Sequence, residues 1–471
     1  MSRKSAIGRV EKFFDDGSFF KLLSCRVAIN TGSRAGDRKP GMMEYLEKEM
    51  IPSLENIDFN CRVIENLEEP CAPFLIAGRI EDETFPGILI YGHGDTVPGM
   101  DDQWKKGLFP FKLTKDGDLW YGRGAADNKG QHAINLTALE CVIKEKKQLG
   151  FNVKVLIEMG EEAGSPGLHA FCEREKKSLK ADVLIASDGP RIDPDTPTIF
   201  GGSRAVYNFD LTINLREGGH HSGNWGGLLA NPGIILSHAI ACMVDAKGKI
   251  LIKTLRPETI APSIKKAIDK LIIKGEGEPK IDPQWGEPGL SSAQKLYGWN
   301  TLDVLAFECG NPSEPVNAIP PEAWARCHIR FIADSDPDTF LTAIRKHLDD
   351  HGFSIVKIEP VANNYGLATR MDPDNPWVKF TTASFKTTLD KYGNPNKKVA
   401  FLPNLGGTLP NDAFSHVLGM PTIWVPHSYG GCNQHAPNEH ILEGITREGL
   451  QMMTGLFWDL SENKMDLFKG K

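Results

Sequence analysis

The chain is poor in the features that mark several common protein classes. Its nine cysteines are scattered singly from Cys25 to Cys432, with an odd total and no CxxC pair. That pattern excludes a disulfide framework and an all-cysteine zinc site, and each thiol reads as a small buried hydrophobe in a reducing compartment. Long apolar runs are missing too. Stretches such as Gly87-Ile88-Leu89-Ile90-Tyr91 fall far short of the roughly 20 residues a membrane-spanning helix needs. The basic start, Met1 to Arg9, is followed by Glu11 and Lys12 in place of an apolar signal core, so a cytoplasmic protein is expected. No lysine and arginine cluster is present to neutralise a phosphate backbone, and the formal net charge is -7. Neither nucleic acid nor a membrane is an expected partner. Repeats and low-complexity tracts are absent as well.

What remains is an ordinary globular composition, 40% hydrophobic and 24% charged, in a chain of 471 residues. That length is too great for one simple core and predicts at least two domains. Four short apolar runs read as strands buried on both faces: Ile88 to Tyr91, Val153 to Met159, Val183 to Ala186 and Thr422 to Val425. Between the first two, Lys129 to Leu149 has helical composition and stops at Gly150. This alternation predicts an α/β domain with a mostly parallel sheet flanked by helices. From about Arg204 the texture changes. Tyr207 to Leu215 alternates apolar and polar residues, as a strand with one wet face does. That second, α+β layer ends after Ile355 to Val361, before the turn-rich Pro373-Asp374-Asn375-Pro376, and Lys274 to Leu290 reads as a loop within it. The expected organisation is a discontinuous first domain, residues 1–202 and 372–471, with residues 203–371 inserted.

In open α/β sheets, ligands bind beyond the carboxyl ends of the strands. His93 and Asp95 follow the first run, Glu161 and Glu162 the second, Asp188 the third, and His435 lies in the Gly-rich loop after the fourth. Asp127 stands just before the helical stretch. Taken singly, each is ordinary. His-x-Asp is often a plain hydrogen-bonded pair, Glu161-Glu162 a solvated surface, and Asp188 a turn initiator. Their common placement is what matters, because so many carboxylates on one rim repel one another unless a cation neutralises them. Imidazole and carboxylate ligands suit zinc-type ions, and this number of acids predicts two.

A composite pattern then runs along nearly the whole chain: Gly92-His93-Gly94-Asp95-Thr96-Val97-Pro98, Tyr121-Gly122-Arg123-Gly124 with Asp127-Asn128-Lys129-Gly130, Glu161-Glu162-Ala163-Gly164-Ser165, and Ser187-Asp188-Gly189. It continues through His221-Ser222-Gly223, Asn317-Ala318-Ile319-Pro320, Gly406-Gly407-Thr408-Leu409-Pro410 and His435-Ala436-Pro437-Asn438-Glu439. The sequence thereby resembles the dinuclear zinc hydrolases that include aminoacylase, carnosine-type cytosolic dipeptidase, glutamate carboxypeptidase, acetylornithine deacetylase and succinyl-diaminopimelate desuccinylase. The resemblance implies a zinc-exopeptidase-like fold with an inserted lid and dimerisation domain, and a homodimer. It makes Asp127 a carboxylate bridging two metals, with His93 and Asp188 on one ion and Glu162 and His435 on the other. Asp95 would orient His93, and Glu161 would be the general base for a metal-activated water. His221, favoured over its neighbour His220 because Ser222-Gly223 follows directly, would reach the active site of the partner subunit. Arg330 would bind the substrate carboxylate, with Asn317, Gly406, Gly407 and Thr408 helping to hold the substrate. His132, His169, His328, His416, His427 and His440 match no role and read as structural or solvent-facing.

The expected activity is hydrolysis of an amide or peptide bond in a small amino-acid substrate by a dipeptidase or carboxypeptidase. The alternatives are an N-acyl amino-acid amidohydrolase and, in another class, an inactive relative that binds metal or ligand. Two divalent ions are expected, zinc first, with cobalt or manganese also accepted by such ligands.

Overall fold

The computed structural model describes residues 1–33, 38–273, 280–361 and 366–462. A large sheet of eight strands runs in the order Asn60–Ile64, Phe74–Arg79, Asn152–Glu158, Gly87–His93, Val183–Ala186, Thr422–Trp424, Thr198–Phe200 and Ala400–Leu402. The four apolar runs expected as strands are its four central members, and these pair parallel to one another. Their side chains alternate between two cores. Ile88, Ile90, Val153, Val155, Val183 and Ile185 pack on one face against Ala133, Ile134, Leu450 and Phe457. Leu89, Tyr91, Leu156, Leu184, Ala186 and Trp424 pack on the other against Phe171, Phe200 and Phe414. Burial on both faces explains why these strands read as continuous apolar runs. The outer strands are different. Phe74–Arg79 runs antiparallel to Asn152–Glu158, and Thr198–Phe200 meets Thr422–Trp424 antiparallel at a single pair.

The helix Lys129–Lys146 lies against the sheet and against the long helix Glu443–Glu462. It ends three residues before the expected Leu149, because the turn is made at Lys147, whose φ of 69° breaks the helix ahead of Gly150. No helix among the described residues is long and apolar enough to cross a membrane.

A second sheet is wholly antiparallel, in the order Thr301–Glu308, Glu322–Phe331, Ala205–Asn214 and Lys357–Pro360. Here burial follows the strand period of two. Phe209, Leu211, Ile213, Ala325, Cys327, Ile329 and Phe331 face inward against the helices Pro232–Met243 and Phe340–Asp350. The expected loop from 274 to 290 lies outside the described residues over 274–279, and over 280–290 it holds no helix or strand.

The chain crosses between the sheets twice, and the crossings lie side by side. The backbone N–H of Ser203 donates to Oγ1 of Thr369 at 3.1 Å, and that of Thr369 donates to the Ser203 carbonyl at 2.9 Å. At Gly202 any Cβ would sit 2.4 Å from the Thr369 carbonyl oxygen, so only glycine permits this approach.

Candidate metal centre

The carboxyl ends of the central strands converge on one rim, as their parallel direction requires. His93 closes its strand and is fully buried, with Nε2 3.0 Å from Oδ1 of Asp127 and 3.5 Å from Oδ2 of Asp188. On the other side of Asp127, Oδ2 lies 3.1 Å from Nε2 of His435, which is also 3.0 Å from Oε2 of Glu162. Two groups of candidate ligands result, His93 with Asp127 and Asp188, and Asp127 with Glu162 and His435. Within each group, one ligand atom per residue lies within 4.8 Å of the others. Asp127 belongs to both. Glu161 stands beside them, Oε2 3.9 Å from Nε2 of His93.

The surroundings fix these side chains. Nδ1 of His93 is 3.1 Å from the Asp95 carbonyl and 3.4 Å from Oδ1 of its carboxylate. The same carboxylate accepts the backbone N–H groups of Glu161 and Glu162 at 3.1 and 3.0 Å. Asp95 therefore orients one imidazole and anchors the turn that carries both glutamates. Glu439, for which the sequence suggested no task, is buried beneath the Asp127 loop. It accepts the N–H groups of Gly124, Ala126 and Asp127 at 3.2, 2.9 and 3.0 Å and pairs with Arg123 at 2.7 Å. Asn128 ties the next residue down by donating to the Ser187 carbonyl at 2.8 Å.

Electrostatically the cluster is built for cations. Burial first, and then the Asp127 charge, pushes Glu162 up to about 7. Burial and the charges of Asp188, Glu162 and Asp127 hold Glu161 well above the usual carboxylate range, against the pull of His93. Burial alone would lower His93 and raise Asp127, but the hydrogen bonding between imidazoles and carboxylates drives both the opposite way. Asp188 Oδ2 is buried without a hydrogen-bond partner. An orphaned carboxylate oxygen amid imidazoles and further acids fits divalent ions, which would take the place of the shared protons.

Glu162 and His435 of the second group open onto a cleft of about 490 Å³ whose walls also include Glu161, Arg330 and Thr408. Nη1 of Arg330 donates to Oγ1 of Thr408 at 3.0 Å. Gly406 and Gly407 precede this wall, and the Gly406 carbonyl accepts from Nε of Arg204 at 2.8 Å. His221 and Asn317 are not brought to the cleft of their own chain. Both are exposed, at a small ribbon pairing His220–His221 with Ala318–Ile319, where the Asn317 carbonyl accepts from Ser222. One histidine read as structural or solvent-facing is exposed, and the surface it faces is the cleft. His169 lines it, with Nε2 2.7 Å from Oδ2 of Asp412, and Glu68 stands nearby on the same wall.

Residues 89–459 match the family model described as peptidase family M20/M25/M40. A Beta-Ala-His dipeptidase of Mus musculus is 26% identical over 428 residues, covering 87% of this chain and 84% of that protein. A Cys-Gly metallodipeptidase of Candida albicans is 27% identical over 457 residues, covering 90% of each. Among solved structures, an M20 family metallo-carboxypeptidase from Sulfolobus solfataricus superposes with a TM-score of 0.77 at 25% identity, over 94% of this chain and 99% of that one.

Proposed function

This chain belongs to peptidase family M20/M25/M40, and from that premise we propose that it is a dipeptidase whose two metal ions share Asp127. That it is an enzyme hydrolysing peptide bonds with metal follows from its family and its dipeptidase relatives. The dipeptide substrate and the role of each residue are our reading. The observation that carries it is the pair of ligand groups meeting at Asp127, with Glu161 at their edge.

In this reading His93 and Asp188 hold one ion and Glu162 and His435 the other, zinc first, with cobalt or manganese accepted by the same donors. Bound there, the ions would polarise the scissile carbonyl and acidify a water. Glu161 takes the proton of the attacking water and returns it to the leaving nitrogen, a transfer its place beside both ligand groups suits. Arg330, steadied by Thr408, grips the substrate carboxylate through its planar fork. Asn317, Gly406 and Gly407 assist from neighbouring loops. A free substrate amine needs an acid nearby, and Glu68 on the cleft wall favours a dipeptidase over an N-acyl amidohydrolase.

Residues 1–202 and 372–471 form the catalytic part, and residues 203–371 serve as lid and dimerisation domain. The edge strand Thr301–Glu308 exposes Val304, Leu305 and Phe307, and Trp225 and Leu228 are exposed beside the His220–His221 ribbon. Unpaired apolar edges of this kind are covered in stable proteins, here by a second copy that brings His221 to the cleft. The nine free cysteines fit a cytoplasmic location.

The deciding experiment is hydrolysis of a panel of dipeptides and N-acyl amino acids by zinc- or manganese-loaded protein, with chelated protein as control. Metal-dependent release from dipeptides is expected. Release only from acylated substrates would make the enzyme a deacylase, and silence across the panel would overturn the reading.

A further inference from the structure

On the covered face of the second sheet, two helices end together. Cys242 lies in the last turn of Pro232–Met243, His347 in the last turn of Phe340–Asp350, and His351 caps that second helix. One candidate ligand atom from each of the three lies within 4.8 Å of the others. We propose that Cys242, His347 and His351 form a separate binding site for a single thiophilic metal ion, zinc or copper(I), that bridges the two helix ends.

The two histidines stand four positions apart, which puts both on one helix face, and their ring centroids are 4.1 Å apart. Each already spends one ring nitrogen on a backbone carbonyl. Nε2 of His347 is 2.8 Å from the Cys242 carbonyl, and Nδ1 of His351 is 2.7 Å from the His347 carbonyl. A carbonyl can only accept, so both of those nitrogens carry the proton. The lone pairs are left on Nδ1 of His347 and Nε2 of His351. A metal-ligating imidazole is commonly held in this way, with its other N–H bonded to a carbonyl or carboxylate. Cys242 supplies the soft donor. Its Sγ now donates to the Ala239 carbonyl at 3.0 Å, and ion binding would release that proton to solvent as the thiolate–metal bond forms.

Two further features favour a cation. Both helices present their C-terminal ends, where the carbonyls carry partial negative charge. His351 is exposed and Cys242 and His347 are half-buried, so a hydrated ion can enter, and a water or solute can complete a tetrahedral shell. The cleft groups are built of imidazole and carboxylate alone, whereas this one contains a thiol.

That difference supplies the test. Cobalt(II) is loaded into the full-length protein and the near-ultraviolet thiolate-to-cobalt charge-transfer band is recorded with the metal content. The expected result is a band that saturates with a third metal equivalent. Cys242→Ser and His351→Ala should each abolish it, while dipeptide hydrolysis and the other two equivalents are unchanged. Absence of the band in the unmodified protein, or its survival in Cys242→Ser, would overturn the proposal. Because the readout is spectroscopic, it stands or falls independently of the activity assigned to the cleft.

Discussion

Glu439 accepts the backbone N–H of Asp127 at 3.0 Å from 312 positions further along the chain. Its other oxygen faces Arg123, and both members of that ion pair are buried. The carboxylate shared by the two candidate ion sites is thus held by a second carboxylate that faces neither.

Glu439→Ala should accordingly damage both stability and metal binding although it removes no candidate ligand. It leaves Arg123 buried without its counter-charge, which costs about 3–5 kcal/mol, and frees the Asp127 loop. Metal affinity should fall roughly 10–100-fold, the usual effect of losing a group that orients a ligand. Thermal unfolding and metal content would both report it, and normal values in both would refute this role.

Glu161→Ala should behave differently. No ion should be lost, since Glu161 lies outside both ligand groups, while turnover should drop by about 10²–10⁴-fold or more, as for a general base. Unchanged turnover in metal-loaded protein would remove Glu161 from the reaction.

Arg330→Lys keeps the charge but loses the fork and the bond to Thr408. A charged hydrogen bond is worth about 1.5–3 kcal/mol, so KM for dipeptides should rise roughly 10–100-fold with little change in kcat. A fall in kcat at constant KM would contradict a substrate-gripping role.

His221→Ala should abolish hydrolysis although it removes no candidate ligand. Mixed with Glu161→Ala, it should recover part of the activity, because each hybrid dimer contains one cleft with an intact Glu161 served by an intact His221. No recovery after demonstrated subunit exchange would place His221 outside the reaction.

His169 offers a test by pH. Its hydrogen bond to Asp412, the largest influence, holds the imidazole above its usual 6.5 against partial burial. The folded protein then binds this proton more tightly than the unfolded chain. The stabilisation is complete below about 6.5 and disappears as pH rises through the higher folded value. With the imidazole half-exposed, the effect should stay below about 1 kcal/mol. Denaturant unfolding at about pH 6 and about pH 8.5 should show it in the unmodified protein and not in His169→Asn; an equal pH slope in both would exclude the pair.

The parts of the fold that could be read in advance are those where burial leaves a local trace. The central strands are apolar on both faces, and the alternation of Tyr207 to Leu215 reflects a single covered face. Asn60–Ile64 is largely exposed and Ala400–Leu402 is three residues long, so neither carries a periodic signal. The convergence of the candidate ligands was legible because parallel strands deliver whatever follows them to one rim. The anchoring by Glu439 was not, since its partners are backbone N–H groups more than 300 positions away. Nor was the pairing of His169 with Asp412, 243 positions apart.

The twin crossing at Ser203 and Thr369 gives the molecule a natural seam. Entry and exit of the second layer are hydrogen-bonded to each other although they lie 166 positions apart. In chain connectivity, that whole excursion is therefore equivalent to a tight hairpin connection. Relative to a four-residue link, the longer excursion adds only about 3 kcal/mol of closure entropy, because that term grows with the logarithm of length. Such a seam lets the second layer vary in length between the same two residues, provided Ile264, Ile268, Ala293 and Tyr297 are kept, because these pack in the core of the large sheet beside the strands that deliver His93, Glu162 and Asp188.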